Sequence, residues 1–137
     1  MTLTVNPIGD NPQTPGIYAE TYLPDQLIAG RFPLVTGNIT LAAGTLQRGA
    51  VLGMVTATGN YILSVATATD GSQNPKAILA DYADASGGPV TAPVYLTGEF
   101  NADKLVFDAS WTIATLTPVL RLLSMFVKTF VSAADPT

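Results

Sequence analysis

Short apolar runs separated by glycine, proline, asparagine and aspartate recur about every ten residues along this chain. Such intervals accommodate strands of about five residues with their turns, but they leave little room for long helices. The clearest case is formed by residues 51–56 and 61–65, which flank a polar stretch whose Gly59-Asn60 pair is typical of a hairpin turn. The spacing therefore predicts a mainly β fold.

Further strands are predicted at other apolar segments, whereas helices are predicted at only two places. The strands are expected at residues 17–23, 39–41, 76–82, 94–97 and 126–131. Thr117 is a good N-cap and Pro118 suits the first helical position, which predicts a helix that continues to about Met125. Asn101 is expected to cap one further short helical turn.

Residues 1–16 differ in composition from the rest of the chain. Pro7, Pro12 and Pro15 fall at short spacing, and proline both removes backbone donors and favours extended conformations. Few side chains in this stretch could offset the entropy of ordering by burial. We therefore expect residues 1–16 to form a flexible arm that is disordered in the free protein, and residues 17–137 to form a single β-rich domain.

Charged and reactive side chains are scarce. Six Lys and Arg against ten Asp and Glu give a net charge of −4, without the basic cluster that displaces counterions from nucleic-acid phosphates. Cysteine and histidine are absent, which excludes disulfides, thiolate metal sites and catalytic triads that need either residue. The composition therefore predicts no nucleic-acid partner. With 47% hydrophobic and 12% charged residues, it favours a subunit of an assembly.

Three loop aspartates are the main candidates for a chemical site. Asp81 and Asp84, with Asp70 nearby in sequence, would have to face each other across a cleft to act in glycoside hydrolysis. No cluster of substrate-binding aromatic residues accompanies them, so solvated loop carboxylates are the better interpretation. Residues 70–74 resemble part of a calcium loop, but the closing glutamate is missing because position 81 is aspartate.

Residues 111–127 are mostly apolar, so a membrane span has to be considered. Arg121 lies within the segment, Pro118 interrupts it, and it is slightly short for a bilayer core. A buried helix followed by a strand is the favoured interpretation, without membrane association. Trp111, the sole tryptophan, is more readily a core or subunit-interface anchor than a ligand platform.

Five short segments follow one another in a distinctive order. RGAVLG at residues 48–53 is followed by ATDG at 68–71, AILA at 77–80, TGEF at 97–100 and LVF at 105–107. In this order and spacing, over residues 27–131, the chain resembles the lambda-type bacteriophage head decoration proteins, although no single segment is specific. It departs from the family after Phe107, where it is longer and more apolar than a minimal member.

This resemblance implies a compact, mainly β fold: a bent β-ribbon or incomplete, β-clip-like barrel with one or two short helices and a flexible N-terminal arm. It implies a homotrimer on the outer surface of the expanded phage capsid, at three-fold and quasi-three-fold positions. There the protein would cement subunits of the major capsid protein against internal DNA pressure, with the arm becoming ordered on the capsid. It further implies a virion protein made in the host cytoplasm, without catalysis, metal or cofactor.

Contact residues are predicted from the resemblance and from the preference of interfaces for large apolar groups. The predicted capsid-binding residues are Pro12, Thr14, Pro15, Ile17 and Tyr18. The predicted trimer-interface residues are Phe32, Pro33, Trp111 and Leu122. The alternative function is a small-ligand or carbohydrate-binding β module that uses the loops at residues 69–74 and 84–88. An enzyme that relies on carboxylates alone is a third hypothesis.

Overall fold

The computed structural model describes residues 26–129, and strands dominate this part of the chain. The strands are β1 (Val35–Leu41), β2 (Thr45–Leu46), β3 (Val51–Met54), β4 (Tyr61–Leu63), β5 (Pro75–Leu79), β6 (Ala83–Asp84), β7 (Val90–Asn101) and β8 (Met125–Lys128). The α-helix α1 spans Ile113–Arg121, and one turn of 3-10 helix spans Ala102–Lys104. The predicted mainly β class is confirmed. The predicted arm and the predicted strand at residues 17–23 lie outside the described residues.

Five of these strands form a closed barrel in the order β1-β4-β3-β5-β7. Antiparallel pairing of β7 with β1, from Val35 opposite Thr97 to Leu41 opposite Val90, closes the ring. β1 pairs with β4 in parallel, whereas β3 pairs antiparallel with both β4 and β5. β8 lies outside the ring, parallel to residues 98–101 of β7, and β2 and β6 form a separate two-stranded sheet. The barrel-like β fold that the resemblance implied is confirmed, and in this chain the ring of five strands is closed.

Two apolar cores lie on opposite faces of β3 and β5. The core inside the barrel includes Leu41, Leu52, Ala77, Leu79, Ala92 and Val94. The core between the barrel and α1 includes Leu27, Val51, Ile78, Phe100, Leu116, Leu120 and Met125. Neighbours such as Val51 and Leu52 therefore serve different cores, as the two-residue period of a strand requires. This explains why RGAVLG and AILA are apolar without alternation.

Two glycines of RGAVLG stand where the backbone passes close to another segment. A Cβ at Gly53 would overlap the carbonyl oxygen of Ser72, which accepts a hydrogen bond of 2.7 Å from the buried Ser64 hydroxyl. Gly49 has a φ of 95°, and a Cβ there would collide with the Lys104 carbonyl. The motif thus allows two loops to cross tightly at the ends of β3.

The helix begins earlier than the sequence predicted, so the assignment of Thr117 as its N-cap is wrong. Thr112 is the N-cap: its hydroxyl accepts from the Thr115 amide at 3.2 Å, and Thr115 Oγ1 accepts from the Thr112 amide at 3.0 Å. This reciprocal pair is a capping box in which threonine replaces the usual glutamate or glutamine. Pro118 lies inside the helix. The earlier start is favoured because it buries Leu116 as well as Leu120.

The C-terminal part of α1 also differs from the prediction. The helix ends at Arg121, Ser124 turns the chain with a φ of 62°, and Met125 begins β8 instead of ending the helix. Burial of Met125 in the core beneath α1 stabilises this arrangement. The predicted strand at residues 126–131 is confirmed as far as Lys128, and residues 130 and 131 lie outside the described part.

The remaining local predictions are largely confirmed. The Asn101 side chain accepts from the Asp103 amide at 3.1 Å and caps the 3-10 turn. The predicted strands that fall within the described part overlap β1, β3, β4, β5 and β7. Residues 111–127 form α1 and most of β8, which is the predicted helix followed by a strand. None of the helices between residues 26 and 129 is long and apolar enough to cross a bilayer.

Candidate assembly surface

An exposed apolar strip lies where the chain enters β1. Its members are Phe32, Leu34, Val35 and Leu96, each between 36% and 49% exposed. Val35 pairs with Thr97 of β7, and Leu34 packs over Gly98, so the apolar strip crosses the junction of β1 and β7. Phe126 of β8 borders it through an edge-to-face contact with Phe32, with ring centroids 5.1 Å apart and ring planes at 74°.

The predicted trimer-interface residues lie in different parts of the fold. Phe32 and Pro33 are exposed, and they belong to the segment that carries the apolar strip. Leu122 is the C-cap residue of α1 and is 86% exposed. Trp111 is half-buried against the core beneath α1, and its enclosed indole N–H has no hydrogen-bond partner within residues 26–129.

Leu34, Val35 and Leu96 were missed by sequence reasoning, although they extend the exposed surface beside Phe32. The available signal was the uncharged apolar run at residues 32–35, directly after Arg31. Its exposure could not be inferred, because an apolar run of this length is equally compatible with a buried strand.

Both ends of the described chain lie at the same end of β7. The Asn101 amide donates to the Leu27 carbonyl at 2.8 Å, and Asn101 is also the register partner of Lys128. Gln26 and Thr129, which adjoin these residues, therefore leave the fold close to each other. The predicted capsid-binding residues Pro12, Thr14, Pro15, Ile17 and Tyr18 lie outside the described residues, in the segment that precedes Gln26.

Glu99 joins three segments at this end of β7. Its carboxylate lies 2.7 Å from Lys128 Nζ and accepts a hydrogen bond of 3.2 Å from the Phe32 amide. The hydrogen bond from Lys128, and then that from the Phe32 amide, lowers the pKa of Glu99. Gly30 leaves room for the carboxylate, since a Cβ at that position would overlap it. The sequence analysis included Glu99 only as part of the TGEF segment.

Arg48 holds the loop before β3 against the barrel wall. Its Nη1 donates to the Ala80 carbonyl and, at 3.1 Å, to the Tyr95 hydroxyl. The guanidinium also stands 5.4 Å from the centroid of the Tyr95 ring, a cation–π arrangement. This cation of RGAVLG therefore connects the end of β5 to the middle of β7.

The loop aspartates act inside their own turns. Asp70 accepts hydrogen bonds from the Ser72 hydroxyl and, at 3.0 Å, from the Ser72 amide, and both lower its pKa. Hydrogen bonds from Ser86, and then from Thr45, lower the pKa of Asp84 in the same way. Within residues 26–129, no group of three or more carboxylates could share a metal ion. These contacts agree with the interpretation of solvated loop carboxylates and favour neither a ligand-binding nor a catalytic role for the loops.

The formal charges are unevenly divided along the chain. All six Lys and Arg lie within residues 26–129, together with six of the ten Asp and Glu, so these charges cancel. The net charge of −4 resides in Asp10, Glu20, Asp25 and Asp135. The apolar strip therefore belongs to a part of the protein without a net charge that would repel a second copy.

Comparison with known proteins identifies a family to which this architecture belongs. The family model described as bacteriophage lambda head decoration protein D matches residues 17–121, whereas no curated protein matches the chain. The matched range contains all five barrel strands and the five segments from RGAVLG to LVF, and it ends at the last residue of α1. β8 lies beyond it. The chain therefore belongs to the bacteriophage lambda head decoration protein D family, a family of structural phage-head proteins and not of enzymes.

Proposed function

We propose that this phage-head protein is a homotrimer that binds the outer surface of the expanded capsid at three-fold and quasi-three-fold positions. There it cements neighbouring subunits of the major capsid protein against the pressure of packed DNA. The observation that carries this proposal is the family match over residues 17–121, which includes every strand of the barrel. Cementing requires contact surface and not chemistry, in keeping with a chain that has neither histidine nor cysteine.

The apolar strip supports contact between copies of the chain. Phe32, Pro33, Trp111 and Leu122 are the proposed trimer contacts, and Leu34, Val35 and Leu96 enlarge the surface on the side of Phe32. Apolar area that a second copy covers contributes about 25 cal/mol for each Å² removed from water. The positive and negative charges of residues 26–129 balance, so this part of the chain adds no net repulsion between two copies.

The segment that precedes Gln26 is the proposed capsid contact, through Pro12, Thr14, Pro15, Ile17 and Tyr18. An extended segment can add a strand to a sheet edge of another protein, with affinity supplied by main-chain hydrogen bonds. Three such segments on one trimer would bind as a multivalent unit, so that weak individual contacts become tight together.

The native mass across a concentration series tests the trimer. We expect three times 14.2 kDa, which is 42.6 kDa. Leu34→Asp places a charge in the apolar strip and is expected to reduce the mass to that of one chain. Tyr82→Asp is the matched control, because Tyr82 is 51% exposed outside the apolar strip. A monomeric wild-type protein at all concentrations, or equal effects of the two variants, would contradict the proposed interface.

Co-sedimentation with expanded capsids assembled without this protein tests the capsid role. We expect saturable binding of the wild-type protein and a higher disruption temperature of the decorated capsids, since a ligand of the assembled state stabilises that state. Absence of binding to expanded capsids would overturn the proposal. Equal binding to unexpanded shells would overturn its specificity for the expanded state.

A further inference from the structure

β8 is firmly attached to the barrel although it lies beyond the range of the family match. It pairs in parallel with β7, in the register Gly98–Met125 to Asn101–Lys128, and the Gly98 amide donates to the Ser124 carbonyl at 3.1 Å. Met125 is fully buried in the core beneath α1. The position of β8 is therefore set by sheet pairing and by core packing together.

The segment at residues 27–32 begins at Leu27, which is buried in the core beneath α1, and a few backbone contacts attach it to β7. The Ala29 amide donates to the Glu99 carbonyl at 2.8 Å, the Asn101 amide donates to the Leu27 carbonyl, and Ile28 forms a single bridge with Phe100. Beyond Ala29 the backbone leaves β7, and it returns at Pro33, whose carbonyl accepts a hydrogen bond of 2.8 Å from the Thr97 hydroxyl. The Phe32 amide is then held by a side chain, the Glu99 carboxylate.

Two contacts from β8 reach this segment. Lys128 pairs with the same Glu99 carboxylate that accepts from the Phe32 amide, and the pair is partly shielded because the Glu99 side chain is only 18% exposed. The Phe126 ring packs edge-to-face on the Phe32 ring. Phe126 and Lys128 thus both act on Phe32, one through an aromatic contact and one through a shared carboxylate.

We propose that β8 is a clamp that fixes residues 29–32 on the barrel through Glu99, Lys128 and the Phe32–Phe126 contact. The clamp sets the direction in which the chain leaves the fold towards its N-terminus, and it holds Phe32 in place within the apolar strip. Its importance for assembly rests on the proposed function, whereas its existence is a property of the isolated protein. Glu99 and Lys128 are positioning residues.

Hydrogen exchange of the isolated protein tests the clamp. We expect Phe126→Ala to speed exchange of the Ala29 and Phe32 amides about tenfold, since both depend on contacts of moderate strength that open locally. The amides of Val51 and Leu79, which lie in barrel strands and bond to Val106 and Ala50 carbonyls, are expected to keep their rates. Unchanged exchange at Ala29 and Phe32, or an equal increase throughout the barrel, would overturn the clamp.

A second pair of variants keeps the test independent of Phe126. Gly30→Ala inserts a Cβ where the Glu99 carboxylate lies and is expected to speed exchange of the Phe32 amide. Gly87→Ala is the matched control, because a Cβ at that exposed position meets nothing within 4 Å.

A double-mutant cycle of Glu99→Gln and Lys128→Met isolates the ion pair. We expect Lys128→Met to add little to the exchange rate of the Phe32 amide once Glu99→Gln is present. Additive effects would overturn the shared role of the carboxylate.

Capsid binding by the same variants distinguishes the clamp from the proposed function. We expect Phe126→Ala and Gly30→Ala, but not Gly87→Ala, to weaken capsid co-sedimentation about tenfold while the barrel stays folded. Undiminished binding by variants with fast Phe32 exchange would overturn the role of the clamp in assembly. If the wild-type protein failed to bind capsids while the exchange results held, the proposed function would fail and the clamp would stand.

Discussion

At Gly53 the fold requires the absence of a side chain, because the Ser72 carbonyl occupies the space in which a Cβ would stand. The hydrogen bond from the Ser64 hydroxyl to that carbonyl holds the Ser72 backbone in this position. Both groups are buried, so neither can move aside without leaving a polar atom unpaired. A residue that seems featureless in the sequence thus sets how closely the loop at residues 66–74 approaches β3.

Gly53→Ala is therefore expected to lower the free energy of unfolding by about 1–3 kcal/mol, the usual cost of overpacking a filled site. Urea denaturation followed by circular dichroism measures the change. Gly87→Ala, at an open position, serves as the control and is expected to leave the midpoint almost unchanged. Equal urea midpoints for the two variants would contradict the close approach of the Ser72 carbonyl to Gly53.

At the scale of single elements, α1 shows where local sequence rules succeed and where they fail. The preference of proline for the first helical position favoured Thr117 as the N-cap, whereas the structure begins the helix after Thr112. The deciding factor is tertiary: a helix that starts at Ile113 places Leu116 and Leu120 together in the core beneath it. Asn101, whose cap depends only on its neighbours, was predicted correctly.

Thr112→Ala removes one half of the capping box and is expected to destabilise the protein by about 1 kcal/mol. The thermal unfolding midpoint measures this. Thr112→Ser retains the hydroxyl and is expected to recover most of the lost stability. If Thr112→Ala had no effect, or if the serine variant were equally impaired, capping at this residue would not contribute to stability.

The proposed arm is a second element with a separable role. Deletion of residues 1–16 is expected to leave the fold and the trimeric mass intact but to abolish capsid binding, because the barrel and the apolar strip lie entirely after Gln26. Native mass and capsid co-sedimentation measure the two properties. Deletion of residues 132–137, at the other terminus of the sequence, is the control. Undiminished capsid binding by the arm deletion would refute the role of the arm.

For the molecule as a whole, turn chemistry was enough to predict the mainly β class, but closure of the barrel was not predictable. The pairs that close it join residues far apart in sequence, such as Val35 with Thr97, and the parallel pair of Leu41 with Tyr61 leaves no turn signal. The apolar strip depends on the same long-range pairing. Phe32 was predicted as a contact residue because it is large and apolar, whereas Leu96 comes to lie against Gly37 of β1 only after β7 has paired with β1.

The stability of the folded protein is expected to fall in acid. Hydrogen bonds that the folded chain holds in place lower the pKa of Asp70, Asp84 and Asp108 from an ordinary value of 3.8, and that of Glu99 from 4.5. The unfolded chain therefore takes up these protons first, so the contribution is complete above about pH 5 and is lost as the pH falls through the lowered values. Urea midpoints between pH 7 and pH 2 measure this loss.

Glu99→Gln is the control for the acid effect, since it removes one of the four groups and is expected to flatten the decline below pH 4.5. A midpoint that stayed constant down to pH 2 would contradict the assignment. The chain has no histidine, so no side chain with an ordinary pKa near 6.5 adds a second transition.

The common exit of both chain ends also has a mechanical consequence. Residues 27–29 run antiparallel to the last residues of β7, and Gln26 lies beyond the Asn101 end. Tension on the N-terminal segment that is directed away from the barrel along β7 therefore pulls this short strand lengthwise. The hydrogen bonds of Leu27 and Ala29 with β7 then carry the load together, in shear, instead of opening one after another. An attachment built in this way yields least when it is pulled along β7 and away from the barrel.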